Sequence, residues 1–549
     1  MLLCLLSVVL PGCTTKHYRK SADHEAAKVI AEKTPAVPNM DTKFTIEQEK
    51  LPPLDDLPVN NKAEESLGAE AQVEVGAHVL SLEKALDLAV KHSRDYQNRK
   101  ELLYLEALNL TLQRYRFTPI FSAGASGRVN RNTVTVTLTN GIDKLVEQKS
   151  ANGEVNAGVD VLLRTGGRIA TDFTIDFFRF IKGDPKFMTS SRLLTTFSQP
   201  LLQGGGYKVA IENLTQAERN LLYALRNFAQ FRKEFSVDVA SRYYGVLQAR
   251  DTVRNNWLGY QNFKQNVARI QAFVDEEKKP QAELGRLKQA ELQTELGWVN
   301  AVRGYKRGLD EFKILLGLST DAKVVLDDAE LEKLKIVHPD IKLDDALRVA
   351  LATRLDLYTV KDRYADAERK IKIASNGLLP KLDLLASIEV DSKAGNAPFD
   401  MDWKRYQWNA GLDLDLPLDR KAERNAYRAA LISYERAGRE LELAIDRVKQ
   451  DVYEGWRSLD QARRNYEISE VGVNLSERRV EEQELLTELG RGTAKDLVDA
   501  RTDLINARND RTQALVGHVI ARLQFWRDLG ILTIRDNGQW EEVTDAKGF

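Results

Sequence analysis

Leu82-Glu83-Lys84-Ala85-Leu86-Asp87-Leu88-Ala89 returns at an offset of 261 as Leu343-Asp344-Asp345-Ala346-Leu347-Arg348-Val349-Ala350, and Asp95 and Pro119 return as Asp356 and Pro380 at the same offset. Further along the offset is 213: Ala217, Val239, Ala249, Arg250, Val267, Leu284, Phe312, Leu316 and Gly317 reappear as Ala430, Val452, Ala462, Arg463, Val480, Leu497, Phe525, Leu529 and Gly530. A repeat of this length outranks any local reading, because each copy is one structural unit. The drop from the first offset to the second means that the first copy carries a segment the second lacks, between Pro119 and Leu214. Residues 79–320 therefore form a first repeat and 321–531 a second, followed by a short tail at 532–549. Each repeat reads helix, variable middle, helix, helix.

The helices are long. Leu214, Leu221, Phe228 and Phe235 step by seven, as do Tyr427, Tyr434, Leu441 and Val448 in the second copy. That is the seam of a coiled coil. The spacing predicts one helix over about 207–275, and shorter ones over 82–116 and 282–316. Two short helices end to end match one long one, as in a cylinder wall.

The middles read as strands within 120–201 and 380–416. Val155, Ala157, Val159 and Val161 alternate with Asn156, Gly158 and Asp160, while Ile169, Thr171, Phe173, Ile175 and Phe177 alternate with polar residues. The second copy repeats the pattern with Leu382, Leu384, Ala386, Ile388 and Val390, then with Tyr406, Trp408, Ala410, Leu412 and Leu414. Segments of this length and period suit tilted strands crossing a bilayer with one lipid-facing side. The polar side then collects Asp160, Asp172, Asp176, Asp383, Glu389, Asp391, Asp413 and Asp415 against Arg131 and Arg168, and lines a lumen. Charge of this sign favours cations.

Composition bounds the alternatives. The chain has 549 residues, a formal net charge of −1 and 80 basic against 81 acidic side chains, which leaves no basic footprint for nucleic acid. Mean hydropathy is −0.40 and no apolar run reaches 18 residues, so a membrane-spanning helix is excluded but a barrel is not. The two cysteines, Cys4 and Cys13, provide no disulfide or metal framework. Leu2 to Leu10 is a short apolar stretch ending in Leu10-Pro11-Gly12-Cys13, similar to a bacterial lipoprotein signal over 1–13, in which Cys13 is cleaved and lipidated. No positive segment precedes Leu2, which fits a start further upstream. Residues 14–78, interrupted by Pro35, Pro38, Pro52, Pro53 and Pro58 and rich in charge, read as a linker.

Catalytic patterns are missing. Gly204-Gly205-Gly206 lacks the Lys-Ser/Thr of a phosphate loop, and His24-Glu25-Ala26-Ala27-Lys28 has Lys where a zinc helix needs its second His. Neither an enzyme nor a cofactor is expected.

A barrel cannot leave an open edge in lipid, and the strands of one chain are too few to close one. Several copies must share it. The duplicated plan resembles the TolC family of outer-membrane efflux proteins over roughly residues 80–531. The local matches are Gln199-Pro200-Leu201-Leu202-Gln203-Gly204-Gly205 at a strand-to-helix junction, its counterpart Leu416-Pro417-Leu418, and Leu489-Gly490-Arg491-Gly492-Thr493-Ala494-Lys495-Asp496-Leu497-Val498-Asp499-Ala500. The resemblance implies a mainly α fold with a membrane β-barrel: a trimer with twelve strands in the outer membrane on a long α-helical periplasmic tunnel. It implies an efflux or type I secretion duct that docks a periplasmic adaptor and an inner-membrane pump of the RND, ABC or MFS type. It places the helix turns at 275–281 and 489–493 at the periplasmic mouth, with Asp496 and Asp499 narrowing the entrance. Glu283 corresponds to Asp496 at the 213 offset, whereas Arg286 replaces Asp499, so an Arg286–Asp499 contact between neighbours is expected to latch the closed mouth. The blander alternative is that these acids complement a helix N-terminus. The competing architecture is an elongated periplasmic coiled-coil scaffold or adaptor whose strands form soluble tip domains.

Overall fold

A computed structural model describes residues 14–41, 44–48, 54–137, 141, 143–182, 187–393, 397–489 and 491–541. The Cys13 reading lies outside them. The principal helices are α1 (Thr15–Lys33), α2 (Leu82–His92), α3 (Arg94–Tyr115), α4 (Glu212–Asp275), α5 (Gln281–Leu315), α6 (Leu343–Thr353), α7 (Leu355–Asn376), α8 (Lys421–Glu488) and α9 (Ala494–Asp528). The strands are β1 (His78–Leu80), β2 (Ile120–Thr137), β3 (Asp143–Leu162), β4 (Arg168–Lys182), β5 (Phe187–Pro200), β6 (Val324–Leu326), β7 (Lys381–Ser392) and β8 (Met401–Asp415).

The duplication holds to the residue. Helices α6 and α7 begin and end at the 261 offset from α2 and α3, and α9 begins and ends at the 213 offset from α5. Helices α4 and α8, of 64 and 68 residues, stop at equivalent positions, Asp275 and Glu488. The expected single helix over 82–116 is broken, and its counterpart is broken at the equivalent place. Ser93 (φ −62°, ψ 131°) and Arg354 (φ −69°, ψ 121°) adopt extended backbone between the two helices. The cause is tertiary. Gly317 (φ 79°) and Gly530 (φ 77°), in the turns after α5 and α9, press against these breaks: a Cβ on Gly317 would sit 2.1 Å from the His92 carbonyl oxygen, and one on Gly530 would sit 2.9 Å from Thr353 Oγ1. Neither approach leaves room for a side chain.

The chain divides into two compact units. Residues 14–30, 105–222 and 361–440 make up one, and 31–104, 223–360 and 441–541 the other. The first holds a single six-stranded sheet in the order β2-β3-β4-β5-β7-β8, every neighbour antiparallel. The first repeat contributes four of these strands and the second two, so a twelve-stranded trimer, which needs four per chain, does not match this count. The segment carried by the first repeat alone is an additional hairpin.

The second unit is helical, with β1 and β6 as a short parallel pair. Its interior is aromatic: Tyr243, Phe263, Tyr305, Phe312 and Phe525 are fully buried, and the Tyr243 hydroxyl donates to the Leu80 carbonyl at 2.9 Å. Where the sequence reads a linker, the structure has helix α1 and 3-10 turns at Thr34–Ala36, Leu54–Asp56 and Glu65–Glu74. Val37, Met40, Leu67 and Ala71 are buried within the second unit, and the Trp298 indole donates to the Ser66 carbonyl at 2.6 Å. Pro35 fits this arrangement because a proline is tolerated in the first turn of a helix.

Candidate functional site

The sheet in the first unit is two-faced along its whole width. One row of paired residues runs Phe121–Val159–Thr171–Thr195–Ile388–Trp408, and parallel rows carry Ala123, Ala157, Phe173, Leu193, Val390 and Tyr406. Phe121 is 79% and Trp408 70% exposed, with Val129, Tyr406, Leu412 and Leu414 also bare. Val390 and Ile175 on the same face are buried, but the exposed apolar residues around them mark a surface that meets lipid or a partner. On β2 it runs from Phe121 to Val129, roughly 27 Å along the strand at ~3.4 Å per residue. Beyond it the same face turns polar, with Arg131 on Glu147 at 2.9 Å and Lys149 nearby. Arg131 thus lies on the apolar side of the register, above the apolar band, and not among the lumen acids as expected.

The opposite face unites all eight sequence-predicted acids. Asp172 pairs with Leu194 and Leu194 with Glu389; Asp383 pairs with Asp413; Asp160, Asp176, Asp391 and Asp415 share their parity. Glu154, opposite Asp176, joins them, readable from its place two residues before Asn156. Basic residues are interleaved: Arg168 Nε donates to Asp160 at 2.6 Å, Arg192 lies 3.0 Å from Glu389 and 3.5 Å from Asp391, and Lys381 lies 3.4 Å from Asp383. The acids outnumber them.

The helix turns belong to the second unit. Phe263, Val267 and Ile270 of α4 pack with Leu284 and Leu287 of α5 and with Ala494, Val498 and Ile505 of α9, joining the two hairpins through an apolar cluster. Thr493 caps α9: its Oγ1 accepts the Asp496 amide at 3.1 Å and donates to the Asp496 carboxylate at 2.6 Å. Asp496 is therefore engaged in a capping arrangement. Asp499 is half-buried and Arg286 exposed, and within the chain no ion pair joins them among the described residues. Glu283 is held by Lys279 at 3.0 Å, and the same ammonium donates to the Gly492 carbonyl at 2.8 Å. Lys279 is a link between the hairpins that no spacing rule pointed to.

Residues 346–524 match the family model described as "Outer membrane efflux protein". The match lies within the second repeat. No curated protein sequence matches the chain. Among solved structures, a membrane protein from Pseudomonas aeruginosa is similar at TM-score 0.61 and 15% identity, over 88% of this chain and 99% of that one. The Campylobacter jejuni CmeC outer membrane channel is similar at TM-score 0.59 and 12% identity, over 91% and 96%. The open state of the Neisseria gonorrhoeae MtrE outer membrane channel is similar at TM-score 0.58 and 13% identity, over 89% and 98%. At these identities the likeness is one of fold, and it extends over both repeats. The resemblance to TolC-like channels holds at the level of the fold over both repeats and, over residues 346–524, at the level of the family model. Among the described residues no helix is long and apolar enough to cross a membrane.

Proposed function

We propose that three copies close one passive exit duct, with the six-stranded sheets forming a shared barrel and the helices a shared tunnel. The observation that supports this is the sheet itself: one face apolar and largely exposed, the other acidic, and, among the described residues, β2 and β8 each with an unpaired edge. In lipid such edges are tolerated only in a closed barrel. In a soluble scaffold the same face would be an aggregation surface. A periplasmic adaptor docks the helical part and an RND, ABC or MFS pump drives cargo, as efflux or type I secretion; the chain itself does no chemistry. Lipid on Cys13 adds an anchor, and Asp496, Asp499, Glu283 and Arg286 gate the mouth.

Detergent extraction of outer membranes followed by chemical cross-linking tests the assembly, with trimers expected. A folded monomer recovered without detergent would refute it. Planar-bilayer recordings of the trimer test the acidic face, with cation preference expected; anion preference would overturn the lumen assignment.

A further inference from the structure

The geometry points to an eighteen-stranded barrel, in which β8 of each copy pairs with β2 of the next and the extra hairpin β3–β4 is part of the wall. This rests on the trimer proposed above but not on its expected strand number. The first support is continuity. Every strand from β2 to β8 is hydrogen-bonded to the next, with register shifts only at Lys149/Ser150 and Val390/Ser392, and between those shifts the apolar and acidic faces keep their sides across all six strands. An outlying hairpin would break that two-sidedness.

The second is anchorage. Strand β2 leaves α3, so β3 returns to the helix side of the sheet, and the turn Leu163–Gly167 lies beside the strand-to-helix junction after β5. Gly206 N donates to Thr165 O at 3.1 Å, Gln199 Nε2 donates to Thr165 O at 3.1 Å, and Thr165 Oγ1 donates to Gln199 Oε1 at 2.9 Å. A Cβ on Gly166 (φ 92°) would meet the Gly204 carbonyl oxygen at 2.8 Å. The turn is fixed to the rim of the sheet.

The third is closure. Following the pairs across the sheet, Ile120 at the helix side of β2 is level with Asn409, six residues short of Asp415 at the helix side of β8. A stagger of about one residue per strand, with ~3.3 Å rise and ~4.8 Å spacing, gives a tilt of roughly 35–40°, as barrels require. Strand β2 runs away from the helices and β8 towards them, so the two free edges meet antiparallel. At that tilt eighteen strands make a circumference of about 110 Å and twelve about 73 Å. Four helices join each sheet (α3, α4, α7 and α8), so three copies bring twelve, which at 8–10 Å spacing need roughly 100–120 Å. Eighteen strands match that ring. The barrel is about 35 Å across between backbones at this circumference.

Double electron–electron resonance on the trimer carrying a spin label at Asn409→Cys, with unsubstituted protein as background, reads the radius. Label-to-label distances should exceed those of a twelve-stranded barrel by about 10 Å, since threefold sites are separated by √3 times the radius. In parallel, Ala125→Cys with Ala410→Cys, lipid-facing positions brought level by the stagger, should give oxidative cross-links between copies. Electron cryo-microscopy of the unsubstituted trimer counts strands directly if a variant does not assemble. A trimer with twelve wall strands, or a trimer in which the cysteines at 125 and 410 fail to link between copies, overturns the count and leaves the trimer standing. Absence of a trimer overturns both.

Discussion

Lys279→Met tests whether the two helix hairpins are held together as a closed mouth. The substitution keeps the stem but removes the ammonium that donates to the Gly492 carbonyl at 2.8 Å and pairs with Glu283 at 3.0 Å. The side chain is only 9% exposed, so little of the interaction is screened by water. Hydrogen bonds to charged groups contribute about 1.5–3 kcal/mol. The apolar cluster of Phe263, Ile270, Leu284 and Ala494 remains in place, so the lower end, about 1.5–2 kcal/mol, is the expected loss of coupling. That corresponds to roughly a 10–30-fold rise in the ratio of open to closed mouths.

Planar-bilayer recording should show the rise as longer or larger openings. Amide hydrogen exchange around Thr493 to Leu497 should accelerate by a similar factor, because the second hairpin loses its tie to the first. Glu283→Gln, which leaves the Gly492 contact intact, should produce a smaller change of the same sign. If Lys279→Met changes neither conductance nor exchange at the α9 N-terminus, the link is a surface accident and the mouth is held elsewhere.

Asp496→Ala with Asp499→Ala should raise conductance and weaken block by divalent cations in bilayers, and should fray the first turn of α9 by about 0.3–1 kcal/mol through the lost carboxylate at the helix N-terminus, read by hydrogen exchange. Unchanged divalent block would place the constriction elsewhere. Arg250→Met should loosen the segment around Glu64 and Glu74, since the guanidinium lies 2.6 Å from Glu64 and 3.4 Å from Glu74; breaking a buried pair costs about 3 kcal/mol, and exchange over 60–78 reports it. Burial pushes the Glu64 carboxyl up, but Arg254 and Arg250 beside it outweigh this and bring it from 4.5 to about 2. Its folded-state value is depressed, so the contribution is full above pH 4.5 and vanishes as pH falls through 2. Discounted for partial exposure, it is about 1–2 kcal/mol, seen as faster exchange of that segment in acid that Glu64→Gln removes. Cys13→Ser should abolish acyl labelling and leave the precursor uncleaved while trimers persist in the membrane; cleavage at another site would refute the lipid anchor.

The sequence displays those features that depend on periodicity. Heptads at Leu214–Phe235 and alternation at Val155–Val161 are properties of the chain alone, and the parity that gathers the acids follows from the pleat. The breaks at Ser93 and Arg354 are illegible because they answer Gly317 and Gly530, which arrive from far along the chain. The first half of strand β2 is hard to see because its apolar side is built from Ala123, Ala125 and Gly127, small residues with little hydropathy contrast. Residues 14–78 mislead because the apolar groups that fix them, such as Val37, Met40 and Leu67, are single anchors without a period. Lys279 is visible only once two hairpins meet. The cap by Thr493 was readable, since Thr followed three residues later by an acid is an N-terminal signature.

The two repeats agree to the residue in their helices and differ by a hairpin in their strands, and the physics of the two element types accounts for both facts. One residue inserted in a helix rotates everything beyond it by about 100°, which turns an apolar stripe away from its neighbour. A wall built of helices from both repeats therefore holds their lengths and turn positions fixed, as the matched ends at Asp275 and Glu488 illustrate. A sheet is extended under a different constraint. One added strand would leave the chain on the wrong side of the membrane, but two antiparallel strands return it to the side it left, with the inward and outward parity intact. Two strands and their turns occupy about the length by which the first repeat exceeds the second. In the proposed barrel, width can thus change by hairpins while α3 and α4 keep their lengths, and the first repeat has used that freedom where the second has not.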